Sequence, residues 1–370
     1  MAMNESGPRP VIVESAPTSS TTSVAAAQRA ADSQPKSLGG KIRYELQFIR
    51  GRGSFEITIV FIALILVFSV VSLVNPDAFP FLSETNLSGV VTQSIPQLAI
   101  FAIAVGILMV AGEFDLSLGF AVTFNAIVFV RFSEIGGAAV GILAAIVSGM
   151  LIALINACIV VFTKIPSFIA TLGMGFFWGG ASIFINGAQS AQVPDDIRAD
   201  GSWFSFVFAH DFGFFRSQLI WLILLTVIFW LFLHRHKYGN HIFAVGGNAS
   251  AARAISIRPG AVKIYSWLIY GFLVGLGSVI YVARIPSVQP GGNATSDFTL
   301  MAVAAAVVGG TSLMGGRGSV IGMVVGAALI GVIQNGLILA KAPGFYLQLF
   351  VGVTIVIAAI FNRFMEGKAS

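Results

Sequence analysis

Charge is what this chain has least of. Only 10% of its 370 residues are Asp, Glu, Lys or Arg, where a soluble domain carries about a quarter. That scarcity excludes a soluble enzyme and a nucleic-acid-binding domain. Cysteine is nearly absent. Cys158 stands alone in an apolar run, which excludes an intrachain disulfide framework and reads as a small core residue. The four histidines, His210, His234, His236 and His241, form no metal-ligand spacing, so no metal site is expected, and no cluster suggests catalytic residues. A phosphate-cradling loop ending in Gly-Lys-Ser/Thr is also missing. The nearest run, 309–318, has neither the lysine nor the spacing, so this chain is not expected to hydrolyse ATP.

What is present is apolar. Hydrophobic residues make up 56% of the chain, with 32 Phe against six Tyr and five Trp. A helix needs about 20 apolar residues to cross a bilayer. Ten candidate segments can be read, at 55–74, 89–111, 116–132, 137–163, 166–186, 217–233, 262–283, 298–310, 318–340 and 344–362. The expected fold is an all-α polytopic transmembrane bundle of about ten helices, between eight and ten. The segment at 298–310 is too short for an ordinary crossing and reads as a broken helix. Residues 1–40 are rich in Ser, Thr, Ala and Pro and read as a disordered tail. Residues 41–54 read as a basic, partly amphipathic interfacial segment, and 55–365 as the transmembrane domain. If every segment crosses and the N-terminus is cytoplasmic, only Arg131, Arg198, Arg216, Arg284 and Lys341 of the 21 basic residues fall outside. The positive-inside rule favours that orientation, with both termini cytoplasmic.

Two polar interruptions and one loop stand out. The stretch 112–119, Gly-Glu-Phe-Asp-Leu-Ser-Leu-Gly, holds Glu113 and Asp115, the only charges between Glu84 and Arg131. Charge at membrane depth costs several kcal/mol, so such groups face a cavity, a partner or the interface. Asp115 with Ser117 reads either as a helix cap or as part of a transport path. The stretch 309–318 has five glycines beside Thr311 and Ser312. It reads either as a tight turn or as a broken helix at a substrate path. The amides Gln93, Asn125, Asn156, Gln334 and Asn335 lie inside apolar runs, where they bind hydroxylated solutes or join helices. The 234–263 loop is the longest inner connection. After Gly246-Gly247 it predicts a short helix capped by Asn248, with Gly247, Ala251 and Ile255 on one face.

With these residues in view, the chain resembles the ribose/galactose/xylose-type permeases of ABC importers. The 112–119 stretch looks like their Gly-Gly-Ile-Asp-Leu-Ser-Val-Gly signature. Gly246-Gly247-Asn248, Ala251-Ala252-Arg253 and Ile257 are similar to their cytoplasmic loop. The runs 308–318 and 331–337 match their C-terminal signature. One departure is Glu113, where many members have Gly. The resemblance spans about 45–365 and implies the membrane subunit of an importer for a monosaccharide or polyol. It implies a second permease subunit, homodimeric or heterodimeric, and an extracytoplasmic sugar-binding protein. It also implies a cytoplasmic ABC ATPase that would bind the ATP and Mg, leaving this chain without a cofactor. Gly246, Gly247, Asn248, Ala251, Ala252, Arg253 and Ile257 would form the coupling helix docked on that ATPase. Gln93, Asp115, Ser117, Asn125, Thr311, Ser312, Gln334 and Asn335 are the candidates for the translocation path. The rival reading is an ion-gradient-driven transporter, for which only Glu113 and Asp115 supply acids near the spans.

Overall fold

Helices carry the fold. The computed structural model describes residues 54–292 and 295–346, with positions 349, 350, 352, 353, 356, 357 and 360 beyond. The expected tail, nearly all of the interfacial segment and about half of 344–362 lie outside the described residues. In chain order the helices are α1 (Ser54–Val74), α2 (Glu84–Val110), α3 (Leu118–Thr163), α4 (Ser167–Asn186), α5 (Ser217–Arg235), α6 (Lys237–Gly247), α7 (Ala249–Ala254), α8 (Pro259–Val282), α9 (Ser296–Val308) and α10 (Val320–Leu339), with two further short helices, Asp195–Arg198 and Trp203–Phe208, between α4 and α5. Seven of them are long and apolar enough to cross a bilayer. The only sheet among the described residues pairs Ala191–Gln192 with Ser287–Val288, antiparallel.

The 46-residue α3 is a hairpin of two helices. The Ser148 hydroxyl donates to Asn125 Oδ1 at 2.8 Å, yet 23 residues of straight helix would hold them about 34 Å apart. The chain reverses at Gly137, whose φ of 76° and ψ of 178° belong to a region open essentially to glycine alone. Two of the expected segments, 116–132 and 137–163, therefore appear as the arms of one hairpin. Its second arm crosses α8 closely. A Cβ on Gly149 would lie 2.5 Å from the Gly271 carbonyl, and one on Gly275 would lie 2.6 Å from that of Ala145. Small residues let helix backbones meet where lipid supplies no hydrophobic drive.

Hydropathy alone does not distinguish core from periphery. Every residue of α2 from Ile95 to Val110 is buried, as expected of a helix apolar all round. In the equally apolar α1 only 6% of the span is buried, so Ile59, Leu66 and Val70 face outward. The core packs around α2, with α5, α8, α9 and α10 against it.

The short segment at 298–310 forms α9. Its 13 residues give about 20 Å of rise, short of the roughly 30 Å hydrocarbon core. An irregular arm precedes α9. Within it Ser287–Val288 pair with Ala191–Gln192, and the Gly291 N–H donates to Ser182 Oγ at 2.8 Å. The 234–263 connection holds two helices. The second, α7, is the expected one; α6 is additional, and buries Gly239, Ile242 and Val245.

Candidate functional site

Three stretches distant in sequence meet at one end of the bundle. The Gly316 N–H donates to the carbonyl of Val110, the last residue of α2, at 2.9 Å. A Cβ on Gly246 would collide with that same oxygen, and one on Gly316 would lie 2.5 Å from Gly247 Cα. A Cβ on Gly315 would lie 2.8 Å from the Gly246 carbonyl and 2.9 Å from Gly112 Cα. Only glycine permits backbones to pack this closely. The knot clamps the start of 112–119, the end of α6 and the turn between α9 and α10 onto one another.

Helix α7 emerges from this knot. Asn248 caps it, its Oδ1 accepting the N–H groups of Ser250 at 3.0 Å and Ala251 at 2.9 Å. Ala252 is buried and Ile257 packs against the core. Ala251 and Arg253 are exposed, and Ile255 is 70% exposed. The short helix is therefore fixed at its base and presents a small outer surface with one cation.

Above the knot the chain unwinds. Residues 112–117 run along the first half of α4. Phe114 N–H donates to Ser167 Oγ at 3.0 Å and Leu116 N–H to Thr171 Oγ1 at 2.9 Å. Backbone amides in an apolar setting need such partners. Glu113 pairs with Lys263 at the start of α8. So the acid that departs from the family pattern is neutralised by a neighbouring helix. Asp115 is fully buried. Its Oδ1 accepts from the Ser117 backbone and hydroxyl, and its Oδ2 accepts from Asn156 Nδ2 at 3.2 Å. Asp115 thus holds the turn into α3 and ties it to that helix's second arm.

The first arm of α3 starts near the middle of α4, where a Cβ on Gly175 would lie 3.3 Å from Ser117 Cα. Helix α9 starts beside it. Gly119 N–H donates to Thr299 Oγ1 at 2.9 Å, and the Thr295 hydroxyl donates to the Gly119 carbonyl at 2.6 Å. Two helices thus begin together inside the bundle, each reached through irregular backbone. Discontinuous helices of this kind mark substrate paths in transporters.

The remaining candidates scatter. Gln93 lies in a π-helical turn of α2, Leu87–Ser94, at the opposite end from α7, and accepts from Arg216 Nη1 at 3.1 Å. Asn125 joins the arms of the α3 hairpin. Thr311 and Ser312 are buried in the turn between α9 and α10. Asn335 is buried in α10, and Gln334 points its Nε2 at Met301 Sδ, 3.5 Å away. Asp115 and Ser117 are joined, whereas Gln93, Asn125, Gln334 and Asn335 are not brought together with them. Sequence reasoning missed Lys263, Thr299 and Arg216. Arg216, which also bonds Ser88 Oγ at 3.1 Å and pairs with Asp211, carried a signal: it is a cation directly before an apolar run.

A polytopic helical bundle with unwound segments at its centre and a tethered surface helix defines a membrane transport component. The family model for branched-chain amino acid transport system / permease component matches residues 86–359, and the chain belongs to that family. It is 30% identical over 305 residues to the ribose import permease protein RbsC of Escherichia coli (strain K12), covering 82% of this chain and 92% of that one. It is 30% identical over 322 residues to the ribose import permease protein RbsC of Bacillus subtilis, covering 82% and 91%. It is 28% identical over 288 residues to the fructose import permease protein FrcC of Rhizobium meliloti, covering 76% and 78%. No solved structure matches.

Proposed function

We propose that this chain is the membrane-spanning permease subunit of an ATP-driven importer for a monosaccharide, in the inner membrane of a bacterium. It would work with a second permease subunit, a cytoplasmic ABC ATPase and an extracytoplasmic sugar-binding protein. The names of the ribose and fructose relatives support the substrate class. The observation that carries the mechanism is the glycine knot. In this reading the exposed side of α7 docks on the ATPase through Ala251, Arg253 and Ile255. A push on α7 passes through Gly247 to Gly316 and through Gly246 to Val110. It then reaches the unwound 112–117 segment, whose upper end sets where α3 and α9 begin. Shifting that junction would open the path to one side and close it to the other.

The ion-gradient reading has only Glu113, paired with Lys263, and Asp115, bonded to Ser117 and Asn156, to draw on, and the import permease names of the relatives do not favour it. The test is Arg253→Glu in the full importer. The expected outcome is normal membrane insertion with loss of both uptake and ATPase co-purification. Normal uptake would remove the coupling role of α7.

A further inference from the structure

A cleft of about 350 Å³ opens between the second arm of α3, α5, α6 and α8. Its volume falls within the roughly 300–1,000 Å³ of ordinary ligand pockets. Its walls include Met150, Phe232, Ile242, Leu268 and the aromatic pair Tyr238 and Tyr265. The wall is apolar, while the mouth is basic. His236 stacks between Phe232 and Tyr238, with ring centroids 5.8 and 5.4 Å away. The Lys237 Nζ sits 5.6 Å over the Tyr238 ring, and the guanidinium of Arg235, the last residue of α5, lies 5.6 Å over the Trp230 ring. His236 Nδ1 accepts the Tyr238 N–H at 3.4 Å, which leaves Nε2 as the donor of the neutral ring. Residues 234–263 contain no Asp or Glu. Among the described residues neither Arg235 nor Lys237 is ion-paired.

We propose that this cleft binds an anionic phospholipid of the inner leaflet. An acyl chain fills the apolar slot between α5 and α8, and the headgroup phosphate lies against Arg235, His236 and Lys237. Basic pockets between spans on the cytoplasmic side recognise acidic headgroups by this combination. The site is separate from the exposed side of α7. A lipid bridging α5, α6 and α8 would hold α6 against the bundle, and α6 ends in the Gly246-Gly247 pair of the knot.

The experiment uses the full chain in mild detergent. It is titrated with phosphatidylglycerol or phosphatidylcholine of identical acyl chains, and bound lipid is read by native mass spectrometry. Each basic side chain near an anionic group multiplies affinity about fivefold. Arg235 and Lys237 together should therefore favour phosphatidylglycerol by about 25-fold. The double variant Arg235→Ala/Lys237→Ala should bring that ratio close to unity while the protein stays monodisperse. Leu268→Trp, which fills the slot, should lower retention of both lipids. Equal retention of the two lipids by the unaltered chain would overturn the proposal. So would a preference that survives the double variant. A change in oligomeric state on Leu268→Trp without loss of lipid would assign the cleft to a second copy of the chain instead.

Discussion

Gly246 and Gly316 both converge on one atom, the carbonyl oxygen of Val110. Gly316 donates its N–H to that oxygen, and the Cα of Gly246 packs so close beside it that no side chain fits. The end of the central helix α2 is thereby fastened to the loop bearing α7 and to the turn before α10.

Gly246→Ala should fold poorly. Forcing atoms into a packed site costs about 1–3 kcal/mol, and here the obstacle is backbone that cannot rotate away. The expected result is a lower melting temperature in detergent and loss of uptake. An uptake rate and melting temperature equal to the unaltered protein's would show that the knot is loose.

Asn248→Ala should remove the cap of α7. Losing such a cap costs about 0.5–2 kcal/mol. In a six-residue helix that is a large share of its order. ATPase binding, measured by titration with the purified partner, should weaken, while Asn248→Asp, which keeps the accepting oxygen, should bind normally. Equal weakening by both variants would point to a contact made by the amide itself.

Asp115→Ala should destabilise the protein more than Asp115→Asn. The alanine removes the acceptor of the Ser117 N–H and hydroxyl in a buried site, at about 1–3 kcal/mol for each unsatisfied group, and leaves the Asn156 Nδ2 only its bond to Ser117 Oγ at 3.1 Å. The asparagine keeps an acceptor for the Ser117 N–H. Thermal unfolding of the two variants side by side checks the order, and a reversed order would show that the negative charge itself sustains the cluster.

Gly137→Ala should strain the α3 hairpin by about 1–3 kcal/mol, because its dihedrals are closed to other residues. The position has open space around it, so the loss comes from the backbone and not from crowding. Gly187→Ala serves as a control. Gly187 also has open space around it, but it sits at an ordinary left-handed helix end, where the strain is milder.

Much of this was legible in the sequence. The apolar runs marked the spans because lipid demands about 20 apolar residues for each crossing. The gap between the runs 116–132 and 137–163 marked a break, and Asn248 was readable as a cap because capping is a local property. The convergence of 112–119, 246–247 and 315–316 was not legible. Each glycine group reads alone as a turn, and only tertiary packing makes them neighbours. For the same reason Glu113 read as an unexplained acid until Lys263 was found beside it, 150 residues further along. Asp115 divided two readings, cap and path. The structure gives it a turn-holding bond to Ser117 and a bond across to Asn156. Burial could not be read either, since α1 and α2 are both apolar and only α2 is enclosed.

The central claim is that solute crosses this chain on force delivered by ATP through α7. The most direct measurement is sugar uptake by proteoliposomes holding the permease and its ATPase, with the sugar-binding protein and sugar outside the vesicles and ATP inside. Uptake that requires ATP and all three partners, and that Arg253→Glu abolishes, is the expected result. Uptake by the permease alone under an ion gradient, unaffected by Arg253→Glu, would contradict the account.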